Sequence, residues 1–431
     1  MATFSDFLGA ALAHLPTITD SPEAPPATPA SSLKRRLAVL QTRLSSVREF
    51  SSRHRLLLRA LALTLVWQIV AQIVGYMAVS ILPPSQDIAA DLTNHPAFHA
   101  GHYPTSLLIW ARWDGVWYLL LALQGYPTQV NILHAFFPAF PGLIHVVGGV
   151  LGSNYLLAGL LINRLLLFPV VVIFTQLVRE EWGDQAAESA PLFFLLVPAA
   201  VFFLAIYTET LFLLACLACF LALRHQRWLL AGLCCALATA TRLPGIVLVG
   251  AVLVEGIVAR RFWKGLGAAA LGTVGLPAYA LYLAVTTHDP LAFQHAYNLG
   301  WGNDHLFTLN IFVGPTRYAS WLVAGWPWHT AGDFTNLSYL LALVVDVVLL
   351  AAMWRPLRWS YRVFALGSIL LPLFSSTIFA YNRYSVVLFP FVLVACRWTA
   401  TRPTLRQAAL LTMGAFSVLN IVLFTAGYWV G

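Results

Sequence analysis

Charge is scarce in this chain. Asp, Glu, Lys and Arg make up only 10% of its 431 residues, where a soluble globular chain carries about 25%. Lysine is almost missing: Lys34 and Lys264 stand alone, and the rest of the 25 basic residues are arginines. There is no Asp-x-Asp pair, so the usual acidic pair for a metal-bound nucleotide sugar is lacking. There is no G-x-x-x-x-G-K-[ST] phosphate loop either, which leaves ATP-driven transport unsupported. The five cysteines (Cys216, Cys219, Cys234, Cys235 and Cys396) all lie in apolar runs and read as small packing residues. No basic stretch leads into an apolar core at the start, so no signal peptide is expected.

What the chain has instead is hydrophobicity. It is 59% hydrophobic, and apolar runs of span length recur from Leu56 to the C-terminus. That predicts an all-α polytopic membrane protein. A β-barrel would show alternating segments of roughly ten residues, not long unbroken runs. The net charge of +8 reflects where the arginines sit, and nucleic acid is not an expected partner. Ahead of the spans, Asp20 to Ser32 is rich in Pro, Ala, Ser and Thr and reads as disordered linker. SLKRRLAVLQTRLSSVREFSSRHR then reads as a basic amphipathic helix on an anionic inner membrane face, or simply a cytosolic lead-in. Both readings put the N-terminus in the cytoplasm.

The arginines predict a topology. Apolar runs start near residues 57, 132, 154, 190, 208, 229, 244, 266, 336, 362, 384 and 408. Basic clusters at 34–55, 179, 224–227, 260–264, 355–362 and 397–406 hold 19 of the 25 Lys and Arg. Cytoplasmic loops carry such an excess. All six clusters fit one side on two conditions. Ile132–Leu151, with Pro138, Pro141, His134 and His145, must not span. Leu229–Thr241 and Pro244–Ala259 must be short helices turning back at Arg242–Pro244, where proline disfavours helix at the preceding residue. The result is about 11 transmembrane helices with a long first outer loop carrying interfacial helices. Arg59, Arg112, Arg164, Arg242, Arg317 and Arg383 lie outside the clusters. Intramembrane charges, and charges against the positive-inside trend, usually mark a site. The acids expected on the outer side are Asp87, Asp91, Asp114, Glu209, Asp289, Asp304 and Asp333.

The stretch RWDGVWYLLLALQGY, residues 112–126, places Asp114 among Trp113, Trp117, Tyr118 and Tyr126. An Asp at an aromatic-rich interface suits a general base for an acceptor hydroxyl, or else caps an interfacial helix. Glu209, two residues after Tyr207 in AIYTETLFLL, reads as a polar turn between spans or as an anionic partner for Arg242. Arg242, in LATATRLPG, needs an anionic partner at its depth; a phosphate or Glu209 would serve. Arg383, beside Tyr384 in FAYNRYSVVLFP, reads as a phosphate ligand or as interfacial snorkelling. His95, His99 and His102 have helical metal-ligand spacing, but no carboxylate or thiol completes a set nearby.

These stretches resemble the GPI mannosyltransferase II (PIG-V) family and its prokaryotic relatives. RWDGVWYLLLALQGY is similar to WD-x-x-WYL-x-IA-x-x-GY. HAFFPAFPGLI, VPAAVFFLAIYTETLFLL and AGLCCALATATRLPGIVL follow in the family's order, and THDPLAFQHA and NRYSVVLFP resemble later elements. YTET stands for YSES and keeps the acid; His288 stands where the family has Gly. The resemblance runs from Leu56 to about Pro390. It implies a C-superfamily (GT-C-type) glycosyltransferase fold, with the catalytic Asp in the first outer loop, the position of Asp114.

It also implies a donor: polyprenyl- or dolichyl-phosphate mannose, with no cofactor required and a divalent metal left open. The expected reaction moves mannose, or another hexose, to a hydroxyl of a glycan, lipid or protein acceptor, with inversion and Asp114 as base. Arg383, Arg242 and Arg112 are the expected phosphate ligands. Glu209, Trp113, Trp117, Tyr118, Tyr207 and Tyr384 are expected in support. The predicted organisation is a cytosolic tail and helix at 1–55, a membrane module at 56–285 with its first outer loop at 83–153, an outer loop at 286–335 and C-terminal transmembrane helices at 336–431. Short loops and the arginine bias favour a bacterial plasma membrane over the endoplasmic reticulum, with the site outside or luminal. The alternative is a polytopic lipid or sugar transporter without catalysis. Such proteins often show two similar halves, and the loops at 83–131 and 286–335 share no motif.

Overall fold

A computed structural model describes residues 29–82, 103–301, 308–325, 331–375 and 377–431. His95, His99, His102, Asp87, Asp91, Asp304 and the tail at 1–28 lie outside the described residues. Contacts divide the chain into two units, 1–54 and 55–431. Of the first, the backbone from Pro29 is helical, in a helix that ends at Ile81.

The described residues form helices and short 3-10 turns without strands. Among the described residues, five helices are long and apolar enough to cross a membrane: His54–Ile81, Tyr155–Trp182, Phe262–Thr287, Asp333–Met353 and Pro403–Thr425. Five shorter apolar helices accompany them, among them Trp228–Thr241 and Gly245–Val258. Large apolar side chains such as Leu65, Ile69, Ile73, Leu281, Val285 and Leu411 are exposed along these helices. Lipid accepts such faces without penalty, and a bundle in lipid is held by close packing instead. Gly256 and Gly265 supply that packing: a Cβ on either would come within 2.6 Å of the other's Cα.

The apolar run starting near 190 is not a continuous span. It is helical only over Ala190–Leu195, breaks before Pro198 and makes a 3-10 turn at Ala200–Phe203. Proline withholds an N–H and obstructs the preceding turn. Irregular backbone survives at membrane depth only where protein covers it; residues 199–208 of this segment are buried, while Pro198 at the break is exposed. Side chains satisfy its carbonyls: Asn163 Nδ2 donates to Tyr207 O at 2.9 Å, and Asn420 Nδ2 to Pro198 O at 2.8 Å. The run starting near 384 is also broken, into Tyr381–Ser385 and Phe389–Ala400. Ile132–Leu151 contains a 3-10 turn and the 12-residue helix Ala139–Val150, about 18 Å of helix and too short to span.

Basic clusters distant in sequence meet at one end of the bundle. Arg358 Nε donates to Glu181 Oε2 at 2.8 Å, His225 Nε2 lies 3.1 Å from Glu180 Oε1, and Arg397 lies 4.3 Å above the Trp182 ring. The cavity described next is at the other end of the Trp359–Leu373 helix from Arg358, near Leu371 and Pro372.

Candidate active site

Asp114 owes its position to Trp110, Arg112 and Trp113 before it. Ile206 N donates to Trp110 O at 3.0 Å, and Tyr207 Oη to Arg112 O at 3.2 Å, tying this strand of chain to the irregular 199–208 segment. Trp113 has φ 47° and ψ −115°, a conformation costly for a bulky residue. The rings of Phe424 and Trp429, at 5.0 and 5.2 Å, pack edgewise on its indole and hold it there. The chain then enters the Asp114–Gln124 helix with Asp114 in its first turn. The N-cap residue is Trp113, which makes no side-chain cap bond; the Asp114 carboxylate accepts from Arg383 Nη1.

Glu209 begins the Glu209–Arg224 helix and is fully buried. Its Oε1 accepts from two arginines, Arg242 Nη1 at 2.7 Å and Arg383 Nε at 3.0 Å. Arg242 sits in the turn between Trp228–Thr241 and Gly245–Val258. That turn needs glycine: a Cβ on Gly245 would lie 2.5 Å from the carbonyl carbon of Ala238 and the nitrogen of Thr239. The Arg242 guanidinium also lies 5.8 Å above the rings of Phe212 and Tyr384. Arg383 comes from the Tyr381–Ser385 helix, entered through Ala380 at φ 61°. Its guanidinium lies 4.6 Å from the Tyr207 ring and 5.4 Å from that of Phe202.

Two carboxylates and two guanidiniums thus form one continuous chain, Asp114–Arg383–Glu209–Arg242. Asp114, Arg383 and Arg242 line a cavity of about 140 Å³ together with Tyr118, Tyr297, Tyr384 and Trp429. The planar fork of a guanidinium at such a cavity can hold two oxygens of a phosphate, and a nearby carboxylate can take a hydroxyl proton.

Several residues expected at the site are elsewhere. Arg112 does not line the cavity: its guanidinium is buried and donates to Thr425 O on the C-terminal helix. The backbone turn at Trp113 separates it from its neighbour Asp114. Trp113 and Trp117 pack against the core, and Tyr207 lies beneath Arg383 as a platform. Of the other three arginines outside the clusters, Arg164 donates to Gln72 Oε1 at 2.8 Å, while Arg59 and Arg317 are exposed. Tyr297 and Trp429 line the cavity without having been singled out in the sequence. Asp346, buried on the Ala331–Met353 helix, accepts from Ser385 Oγ at 3.1 Å, two residues from Arg383. It had a legible signal, as the one acid in the apolar run LALVVDVVLL.

Residues 49–297 match the mannosyltransferase (PIG-V) family, over more than half of the chain. The chain belongs to the PIG-V family. Two similar relatives are the GPI alpha-1,6-mannosyltransferases 2 of Rattus norvegicus, 31% identical over 156 residues, and of Cricetulus griseus, 34% identical over 158 residues. Each match covers 33% of this chain and 31% of the relative, so the PIG-V chain aligns with about a third of their length. No solved structure matches it. In this PIG-V chain Asp114, Tyr118, Glu209, Arg242 and Tyr297 fall within the matched segment. Arg383, Tyr384 and Trp429 lie beyond it, so the fold completes the cavity from both parts.

Proposed function

We propose that this membrane glycosyltransferase moves mannose from a polyprenyl- or dolichyl-phosphate carrier to an acceptor hydroxyl, with inversion at the anomeric carbon. The observation that carries the reading is the convergence of Asp114, Arg383 and Arg242 on one cavity in a chain of this family. The acceptor oxygen attacks C1 of the sugar from the face opposite the phosphate. Its proton passes to the Asp114 carboxylate as the C1–O bond to phosphate breaks. The electron pair leaves on the phosphate oxygen, and polyprenyl phosphate is the second product. A phosphate leaves without protonation, so one carboxylate suffices where glycoside hydrolysis uses two. Arg383 and Arg242 offset the charge that grows on the phosphate. Tyr118 and Tyr384 wall the cavity. The donor reaches it from the membrane, and no nucleotide enters the reaction.

The clustering of arginines at the opposite end of the bundle supports an active site on the outer or luminal side, with the N-terminus cytoplasmic. The arginine bias favours a bacterial plasma membrane. The test is an assay of purified protein with polyprenyl-phosphate mannose and a panel of glycan, lipid and protein acceptors, read by mass. A product heavier by one hexose, lost in Asp114→Asn, is the expected result. The absence of transfer to every acceptor, with the donor left intact, would overturn the reading.

A further inference from the structure

The four charges at the cavity cancel: Asp114 and Glu209 against Arg242 and Arg383. The two guanidiniums that a donor phosphate needs are already engaged, and so is the carboxylate that must take a proton. The site as built is therefore closed to both of its partners.

The geometry shows which carboxylate can give way. Glu209 is 0% exposed and binds two arginines through one oxygen, so it cannot leave without stranding a buried charge. Asp114 is 14% exposed, lines the cavity and binds only Arg383, at the cavity side of its fork. Arg383 thus presents two different edges. Nε faces the buried Glu209, and Nη1 faces the cavity, where Asp114 now occupies it.

We infer that the donor's phosphate displaces Asp114 from Arg383 Nη1 while Glu209 keeps Nε, so that donor binding itself releases Asp114 to act as base. Glu209 is a positioning residue: a fixed counter-ion that aims two arginines and stays in place through the exchange. Asp114 is both the catalytic base and the resting occupant of the phosphate's place. The order of binding follows, since an acceptor arriving first meets a carboxylate still engaged by Arg383. This rests on the proposed function and goes further, because it makes the base and the leaving phosphate competitors for one guanidinium.

The test uses full-length protein in nanodiscs and sugar-free polyprenyl phosphate as the probe, with binding followed by intrinsic tryptophan fluorescence. Asp114→Asn removes the competitor, and its affinity for polyprenyl phosphate is expected to rise about ten-fold as transfer is lost. Asp114→Ser is the second variant, in case the amide is tolerated poorly. Unchanged or weaker binding in the folded variants overturns the exchange. Glu209→Gln keeps an acceptor oxygen but adds one net positive charge, so the donor KM and kcat both fall as polyprenyl phosphate lingers. Glu209→Ala loses the aim of both arginines, and its donor KM rises. A Glu209→Gln variant behaving like Glu209→Ala overturns the counter-ion role. Wild-type protein that binds no polyprenyl phosphate overturns the proposed function itself; a wild type that binds and transfers, with no gain in Asp114→Asn, overturns only the exchange.

Discussion

Glu209 Oε1 accepts from Arg383 Nε at 3.0 Å across 174 residues of chain. Arg383 is thereby fixed relative to the Glu209–Arg224 helix, although it belongs to a short helix near the end of the chain. The pair joins the family-matched part of the molecule to the part beyond it, and the consequences for catalysis and stability are separable.

The base should be separable from the fold. Asp114→Asn is expected to lower transfer by about 10²–10⁴-fold, the span of general-base catalysis. The thermal transition and elution profile should stay near those of the wild type. Turnover of polyprenyl-phosphate mannose measures the first, and full activity in the variant would contradict the role.

Arg383→Lys should be a severe change. A lysine ammonium is a single point and cannot hold Glu209 and Asp114 on two edges of a planar fork. Glu209 would keep Arg242, so the group that loses its partner is Asp114 at the cavity. Lower thermal stability together with a raised donor KM is expected, measured by melting in detergent and by initial rates.

Arg112 separates position in sequence from role. It neighbours Asp114, yet its guanidinium serves Thr425 O. Arg112→Met is expected to lower the melting temperature and leave the donor KM of the folded fraction unchanged. A rise in KM matching that of Arg242→Ala would instead put Arg112 at the phosphate.

Gly245→Ala tests the turn that carries Arg242. Its Cβ would meet backbone at 2.5 Å, and overpacking of this kind costs about 1–3 kcal/mol. The two helices must part, which draws Arg242 away from Glu209. The expected result is a lower melting temperature with a higher donor KM; a KM equal to the wild type's would uncouple the turn from the site.

Asp346 and Ser385 give a subtler case. Asp346→Asn keeps the acceptor for Ser385 Oγ and removes a buried carboxyl group that makes no ion pair among the described residues. Melting temperature should hold or rise. Asp346→Leu strands the hydroxyl and should cost about 1–3 kcal/mol, with reduced activity through a displaced Arg383 turn. A steep loss in Asp346→Asn would show that its charge matters.

Much of this was legible in residue order. Apolar runs marked the membrane class, because hydrophobicity is a local property that needs no partner to be read. The break at Arg242–Pro244 was legible because proline acts on its immediate neighbours, and Trp228–Thr241 and Gly245–Val258 flank it. Misread segments were those where local and tertiary demands conflict. The run near 190 has a span's composition, but Pro198 breaks it and Asn163 and Asn420 make the break tolerable from other helices.

The sequence by itself determined the class of molecule and the chemistry on offer: few charges in an apolar chain, with Asp114, Glu209, Arg242 and Arg383 among them. Only the tertiary structure decided how those charges pair. Ionised groups at membrane depth must find partners wherever the fold supplies them, and sequence distance does not enter that energy. Arg112 therefore turned to a backbone carbonyl on the last helix, despite lying two residues from Asp114. Arg383, far along the chain, became the partner of both carboxylates.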